Sequence, residues 1–192
     1  MIGVVLAGGE SRRFGSQKAF HQLDGKPFYQ HVYDAMKGCG RLQQVVINTN
    51  AQLKEGFDQK VIVDDSRYQG LGPLTGLYTV MTELPDDAYF VIAVDTPFIT
   101  VEAVNHLIEN FRGHTTVYRD DEQIHATIGI YPYHLKQTIK QHLDHRELRL
   151  RALFDEATTY IDVKTVPGHW YLNINRPEDL KGGERHDRTN HR

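Results

Sequence analysis

Behind the apolar run Ile2–Leu6 comes the stretch LAGGESRRFGSQK, with adjacent Gly8 and Gly9 and then Arg12, Arg13 and Lys18. Bare glycine backbone lets N–H groups come close to a phosphate, guanidinium groups grip phosphate oxygens in pairs, and a lysine adds a mobile point charge. A tight turn uses glycine too, and any single cation can be plain surface charge. The combination in one loop at a strand end is what points to an anion. The spacing is neither GxxxxGK[ST] nor GxGxxG, which disfavours a Walker-type ATPase and an ordinary dinucleotide dehydrogenase. A carboxylate follows at the end of another apolar run, YFVIAV, as Asp95. Among phosphates an aspartate makes sense as a Mg²⁺ ligand, although DTP is also ordinary turn or cap chemistry.

Both groups need strands that end at one edge of a sheet. Runs rich in valine and isoleucine, IGVVLA, QVVIN, KVIV and YFVIAV, recur through the first half, each followed by turn residues and an amphipathic segment. They read as buried parallel strands, with helices over 27–37, 51–56 (short), 74–84 and 101–111. Pro27 suits a first helical position, Gly38 and Gly40 its end, and Thr100 an N-cap. In the second half TTVYRD and HATIGIYP read as an antiparallel pair around an acidic turn, followed by helices over 133–143 and 147–154. The expected fold is α/β: a mostly parallel central sheet with helices on both faces and a small antiparallel section in the second half. In such sheets ligands bind beyond the carboxyl ends of the strands, where Gly8 and Asp95 both stand.

With 192 residues, 40% of them hydrophobic, and no linker or internal repeat, one domain over 1–181 is expected, with an apolar-free tail over 182–192 read as disordered. A net charge of -3 gives no global field for nucleic acid or an anionic membrane, and no apolar run reaches spanning length. The single cysteine, Cys39, forms no internal disulfide and no signal-peptide layout opens the chain, so a cytoplasmic protein is expected.

The opening loop, read as Leu6, Ala7, Gly8, Gly9, Ser11, Arg13, Phe14, Gly15 and Lys18, resembles the signature of nucleotidyltransferases with a Rossmann-like fold. VVINTN at 45–50, VDDSRYQGLGPLTGL at 63–77, VDTPFI at 94–99 and YLNINRPEDL at 171–180 are similar to one branch, the molybdenum cofactor guanylyltransferases or MobA-like proteins. The resemblance implies transfer of GMP from GTP to the terminal phosphate of molybdopterin, giving molybdopterin guanine dinucleotide and pyrophosphate. It implies Arg13, Lys18 and Asp95 as catalytic groups, with Mg²⁺ on Asp95. It places Leu6, Ala7, Gly8 and Gly9 under the GTP, with Asn48 and Asp65 at its nucleoside end. Asp64 is adjacent, and the register between the two aspartates stays open. Gly70, Gly72 and Gly76 look like a loop over the site or plain turn chemistry. For molybdopterin the resemblance points to Asn173 and Asn175, two apart and so on one face of an extended segment, and to Arg149, which with Arg146 could equally form a solvated helical face. His125 is left as structural. Partners implied are the two small-molecule substrates and transient contacts with molybdopterin-donating and cofactor-receiving proteins. Rival readings are a cytidylyl- or sugar-phosphate nucleotidyltransferase, and a cofactor carrier without turnover.

Overall fold

The structure, a computed structural model, describes residues 1–9, 14–15 and 17–180. Nine strands are assigned among them: β1 (Ile2–Leu6), β2 (Gln22–Leu23), β3 (Lys26–Pro27), β4 (Gln44–Thr49), β5 (Val61–Val63), β6 (Ala88–Ala93), β7 (Thr116–Arg119), β8 (Ile124–Pro132) and β9 (Thr159–Asp162). The α-helices are α1 (Phe28–Gly38), α2 (Pro73–Glu83), α3 (Val101–Asn110) and α4 (Lys136–Asp144). Seven strands form one sheet in the order β5-β4-β1-β6-β8-β7-β9, and β2 and β3 pair separately as a small hairpin. Within the seven-stranded sheet every pairing is parallel except the two made by β8, while the β2–β3 hairpin is antiparallel.

The sheet's position follows from its sequence. β1 is buried along its whole length, as a central strand covered on both faces must be. Its side chains alternate: Val5 joins one core cluster with Val32, Met36 and Leu107, while Val4 and Leu6 join the other with Leu74, Leu77 and Ile139. Helices α1 and α3 therefore cover one face and α2 and α4 the other. In α1 the buried set Phe28, Tyr29, Val32, Ala35 and Met36 keeps helical spacing. Thr100 caps α3 as expected, its hydroxyl accepting from the Ala103 N–H.

Several expectations are corrected. The segment 147–154 is not a helix but a turn leading into a 3-10 helix, Leu150–Leu153; Arg146 sits in the left-handed region (φ 61°), where a helix cannot continue. Only a 3-10 turn, Lys54–Gly56, forms within 51–56. Pro27 is the residue before α1 rather than its first. Gly76 lies inside α2, not in a loop. The edge strand β9 and the β2–β3 hairpin had no counterpart in the sequence reading. No helix among the described residues is long and apolar enough to cross a membrane. The tail 182–192 lies outside the described residues.

Candidate active site

Strands β5, β4, β1 and β6 are parallel neighbours, so their carboxyl ends line up along one rim. With strands about 4.8 Å apart, three spacings separate β5 from β6, roughly 14 Å. A cavity of about 420 Å³ runs along this rim. Leu6, Ala7, Gly8 and Gly9 form its floor, Asn48 and Asp64 stand at one end, and Lys18, Ala93, Val94 and Asp95 at the other. Two backbone bonds lock the floor in place: Ala7 N–H donates to the Asn48 carbonyl (2.8 Å) and Val94 N–H to the Leu6 carbonyl (3.1 Å).

At the β5 end, Asn48 is 3% exposed and its amide nitrogen donates to the Ile62 carbonyl (3.3 Å) and to Asp64 Oδ1 (2.9 Å). The other Asp64 oxygen faces Gly8, 3.4 Å from where a Cβ would stand. Burial pushes the Asp64 carboxyl above the usual carboxylate range, against the opposing bond from Asn48. The sequence reading put Asp65 here; in the structure it is Asp64 that lines the cavity. Asp65 caps the next 3-10 turn and its carboxylate is held by Arg67 (Nη2 to Oδ2, 2.6 Å), whose hydrogen bond keeps that carboxyl below the usual range. The physical reason is that β5 stops at Val63, so the chain turns and strand alternation no longer governs the two aspartates. Over this end Gly70, Gly72 and Pro73 form the opposite wall. Gly72 has φ 82°, which turns the chain into α2.

The β6 end carries the charges. Lys18 Nζ lies 3.9 Å from Asp95 Oδ2 and donates to Asn175 Oδ1 (3.4 Å). The Asp95 side chain is a quarter exposed, yet its Oδ1 is buried with no hydrogen-bond partner. Burial raises the Asp95 carboxyl above its ordinary value, and Lys18 only partly offsets this. Lys18 faces one oxygen of this carboxylate, and the other, Oδ1, is left for a further cation or donor. Among the described residues no group of three acidic, histidine or cysteine side chains could hold a metal unaided. One carboxylate completed by substrate oxygens and water is how Mg²⁺ is commonly bound, so the residues fit that ion.

The segment that carries Asn173 and Asn175 reaches this end. The Thr96 hydroxyl donates to Asn173 Oδ1 (3.1 Å), and Ile174 N–H donates to the Asp95 carbonyl (2.7 Å). Of the residues singled out from sequence, the structure brings Leu6, Ala7, Gly8, Gly9, Lys18, Asn48 and Asp95 to one cavity. Asn173 and Asn175 adjoin it through Thr96 and Lys18. Arg149 is exposed, ahead of the Leu150–Leu153 turn, and is not a lining residue. Arg13 lies outside the described residues. His125 is 4% exposed and pairs with Asp120 (3.0 Å). Sequence reasoning missed Thr127 and Ala19 in the lining. Thr127 lies in β8, where Ile128 pairs with Ile92, so the antiparallel register carries it to the end of β6.

A family model described as MobA-like NTP transferase domain matches residues 3–160. Among solved structures, the chain is similar to molybdopterin-guanine dinucleotide biosynthesis protein A from Archaeoglobus fulgidus, at 21% identity over 96% of this chain and 97% of that one, TM-score 0.78. It is similar to a nucleotidyl transferase from Methanothermobacter (16% identity, 98% of both chains, TM-score 0.75). It is also similar to CMP:2-keto-3-deoxy-manno-octonic acid synthetase complexed with CTP (17% identity, 95% of both chains, TM-score 0.66). At these identities the likeness is one of fold, and it is the family match, covering most of the 192 residues including every strand of the nucleotide rim, that decides the assignment: the chain belongs to the MobA-like NTP transferase family.

Proposed function

We propose that this nucleotidyltransferase moves GMP from GTP to the terminal phosphate of molybdopterin in the cytoplasm, releasing pyrophosphate and forming molybdopterin guanine dinucleotide. The observation that carries the reading is the Lys18–Asp95 pair, with its unsatisfied buried carboxylate oxygen, at one end of a cavity whose other end is the Asn48–Asp64 pair. The Archaeoglobus protein's name supports the choice of substrates.

The chemistry sets one anion against another. Two unit charges ~4 Å apart repel by about 4 kcal/mol at an effective dielectric near 20, so neutralisation precedes attack. Lys18 supplies a cation beside the phosphates, and the Gly8–Gly9 backbone admits them closely. Asp95 would hold Mg²⁺, which when bound would neutralise phosphate charge and stabilise the transition state. An acceptor phosphate oxygen attacks the α-phosphorus, the bond to the β-phosphate oxygen breaks, and its electron pair leaves on pyrophosphate. A phosphate monoester with a second pKa near ~6 is already largely dianionic at neutral pH, so no side-chain base takes a proton. At the far end the Asp64 carboxylate, fixed by Asn48, accepts from the N–H donors of guanine's pairing edge. Asn173 and Asn175 face the acceptor.

Calorimetric titration of GTP, CTP and ATP with Mg²⁺, followed by a pyrophosphate-release assay with molybdopterin, tests this. GTP is expected to bind best, Asp95→Ala and Lys18→Ala each to weaken it by about tenfold or more, and chelation of Mg²⁺ to stop release. A preference for CTP moves the protein to a cytidylyl donor, as in the CTP-bound neighbour. Tight GTP binding without release makes it a carrier.

A further inference from the structure

The described chain ends in a segment that crosses the charged end of the cavity, and its anchor lies outside that cavity. Ile174, 1% exposed, is buried among Phe14, Leu23 and Phe28. Its N–H donates to the Asp95 carbonyl, so the backbone here is fixed to the end of β6. The next residue, Asn175, is exposed, yet its amide oxygen meets the Lys18 ammonium at 3.4 Å. What holds Asn175 is Asp179: its Oδ2 accepts the backbone N–H of Asn175 and of Arg176, both at 2.8 Å. Those N–H groups precede the short turn Pro177–Asp179, and the side chain of its last residue supplies their acceptor. One carboxylate oxygen taking two N–H bonds is a charge-assisted clamp on a backbone that solvent would otherwise loosen.

We propose that Asp179 is a positioning residue for the phosphate-binding lysine: by clamping the backbone of Asn175 and Arg176 it holds the Asn175 amide oxygen against Lys18 and so aims the ammonium. Asp179 does not line the cavity and touches no reacting group. The inference rests on the reading of Lys18 as a ligand of nucleotide phosphates.

The test is calorimetry of GTP with Mg²⁺ on the full chain and on D179A, D179N, N175A, K18A and K18A/D179A, with a melting curve for each. D179A and N175A are each expected to weaken GTP binding by about fivefold, the scale of one modest hydrogen bond. D179N keeps an oxygen able to accept both N–H groups and is expected within about twofold of the parent. In the K18A background D179A is expected to add no further loss, because both changes act on the same interaction. Parent-like affinity in D179A or in N175A overturns the proposal. So does an equal loss from D179A in both backgrounds, which marks a general disturbance of the fold. If D179A proves unfolded at the assay temperature, N175A decides alone, since it removes the amide oxygen and leaves the clamp intact. Failure of the parent protein to bind GTP overturns the nucleotide reading itself, an outcome distinct from all of these.

Discussion

Replacing Gly76 with alanine reverses the usual sign of a glycine-to-alanine change in a helix. In a helix interior alanine is favoured over glycine by roughly 1 kcal/mol. At Gly76 the added Cβ stands 2.0 Å from Asn48 Oδ1, 2.8 Å from Asn48 Cγ and 2.8 Å from Leu6 Cδ2. Asn48 has no room to step aside, because it is buried and its amide is tied to Ile62 and Asp64. Relieving the overlap breaks both bonds. The one to a carboxylate is worth about 1.5–3 kcal/mol and the one to a carbonyl about 0.5–1.5 kcal/mol. After subtracting the helix gain, a net loss of roughly 1–3.5 kcal/mol remains, and for a chain of this size each kcal/mol lowers the melting midpoint by about 2–4 °C. Thermal and urea unfolding of Gly76→Ala measure the loss, and GTP calorimetry is expected to show binding weakened by about tenfold, since Asp64 loses its orienting partner. The same substitution in an Asn48→Ala background has space for its methyl group and is expected to be neutral or stabilising. A Gly76→Ala protein as stable as its parent refutes the reasoning outright.

Asp64→Asn is expected to weaken GTP binding by about tenfold while Asp65→Asn stays within about threefold, because Arg67 already occupies Asp65; the reverse order in calorimetry means that Asp65 leaves Arg67 for the ligand. Thr100→Ala removes the α3 cap and is expected to cost about 1 kcal/mol in urea unfolding with unchanged GTP affinity. Asp120→Ala carries a pH signature. Burial pushes the Asp120 carboxyl up, but the backbone N–H groups of Gln123 and Glu122, with His125, outweigh it and hold the carboxyl below its ordinary value. A lowered carboxyl stabilises the fold above its unfolded pKa and loses that contribution as pH falls through its folded pKa. The stability gap between parent and Asp120→Ala is therefore expected to be widest at neutral pH, about 1 kcal/mol after solvent screening, and to shrink below pH ~4 in unfolding curves run at several pH values.

The central half of the sheet was legible because a strand buried on both faces has to be apolar throughout, and IGVVL and AYFVIA are. Its helices were legible from periodic burial and from Thr100. Gly8, Gly9 and Asp95 followed from their places beyond strand ends and Lys18 from the cations of the opening loop, whereas Leu6, Ala7 and Asn48 came with the resemblance to MobA-like proteins. Edge strand β9, TYID, mixes half-exposed and exposed positions and gives no such run. The helix expected over 147–154 had the right spacing of leucines and arginines, but Arg146 turns left-handed and the leucines pack from a 3-10 turn instead. Asp64 and Asp65 could not be told apart because their orientation is set by where β5 stops. Gly76 looked like loop glycine, since its purpose depends on Asn48, far away in sequence. Asp179 was not singled out although it stands only four residues from Asn175, because its clamp matters only once the fold sets Asn175 against Lys18, 157 positions away.

The bond from Lys18 to Asn175 joins residues 157 apart. At translation rates of about 5–20 residues per second, the lysine is made roughly 8–30 s before the asparagine that steadies it. The rim from β1 to β6 is complete by Ala93, so the four parallel strands of a nascent chain are made long before the segment that carries Asn175. The contacts around Lys18 thus have a birth order, with Asn175 and its clamp joining a rim that is already made.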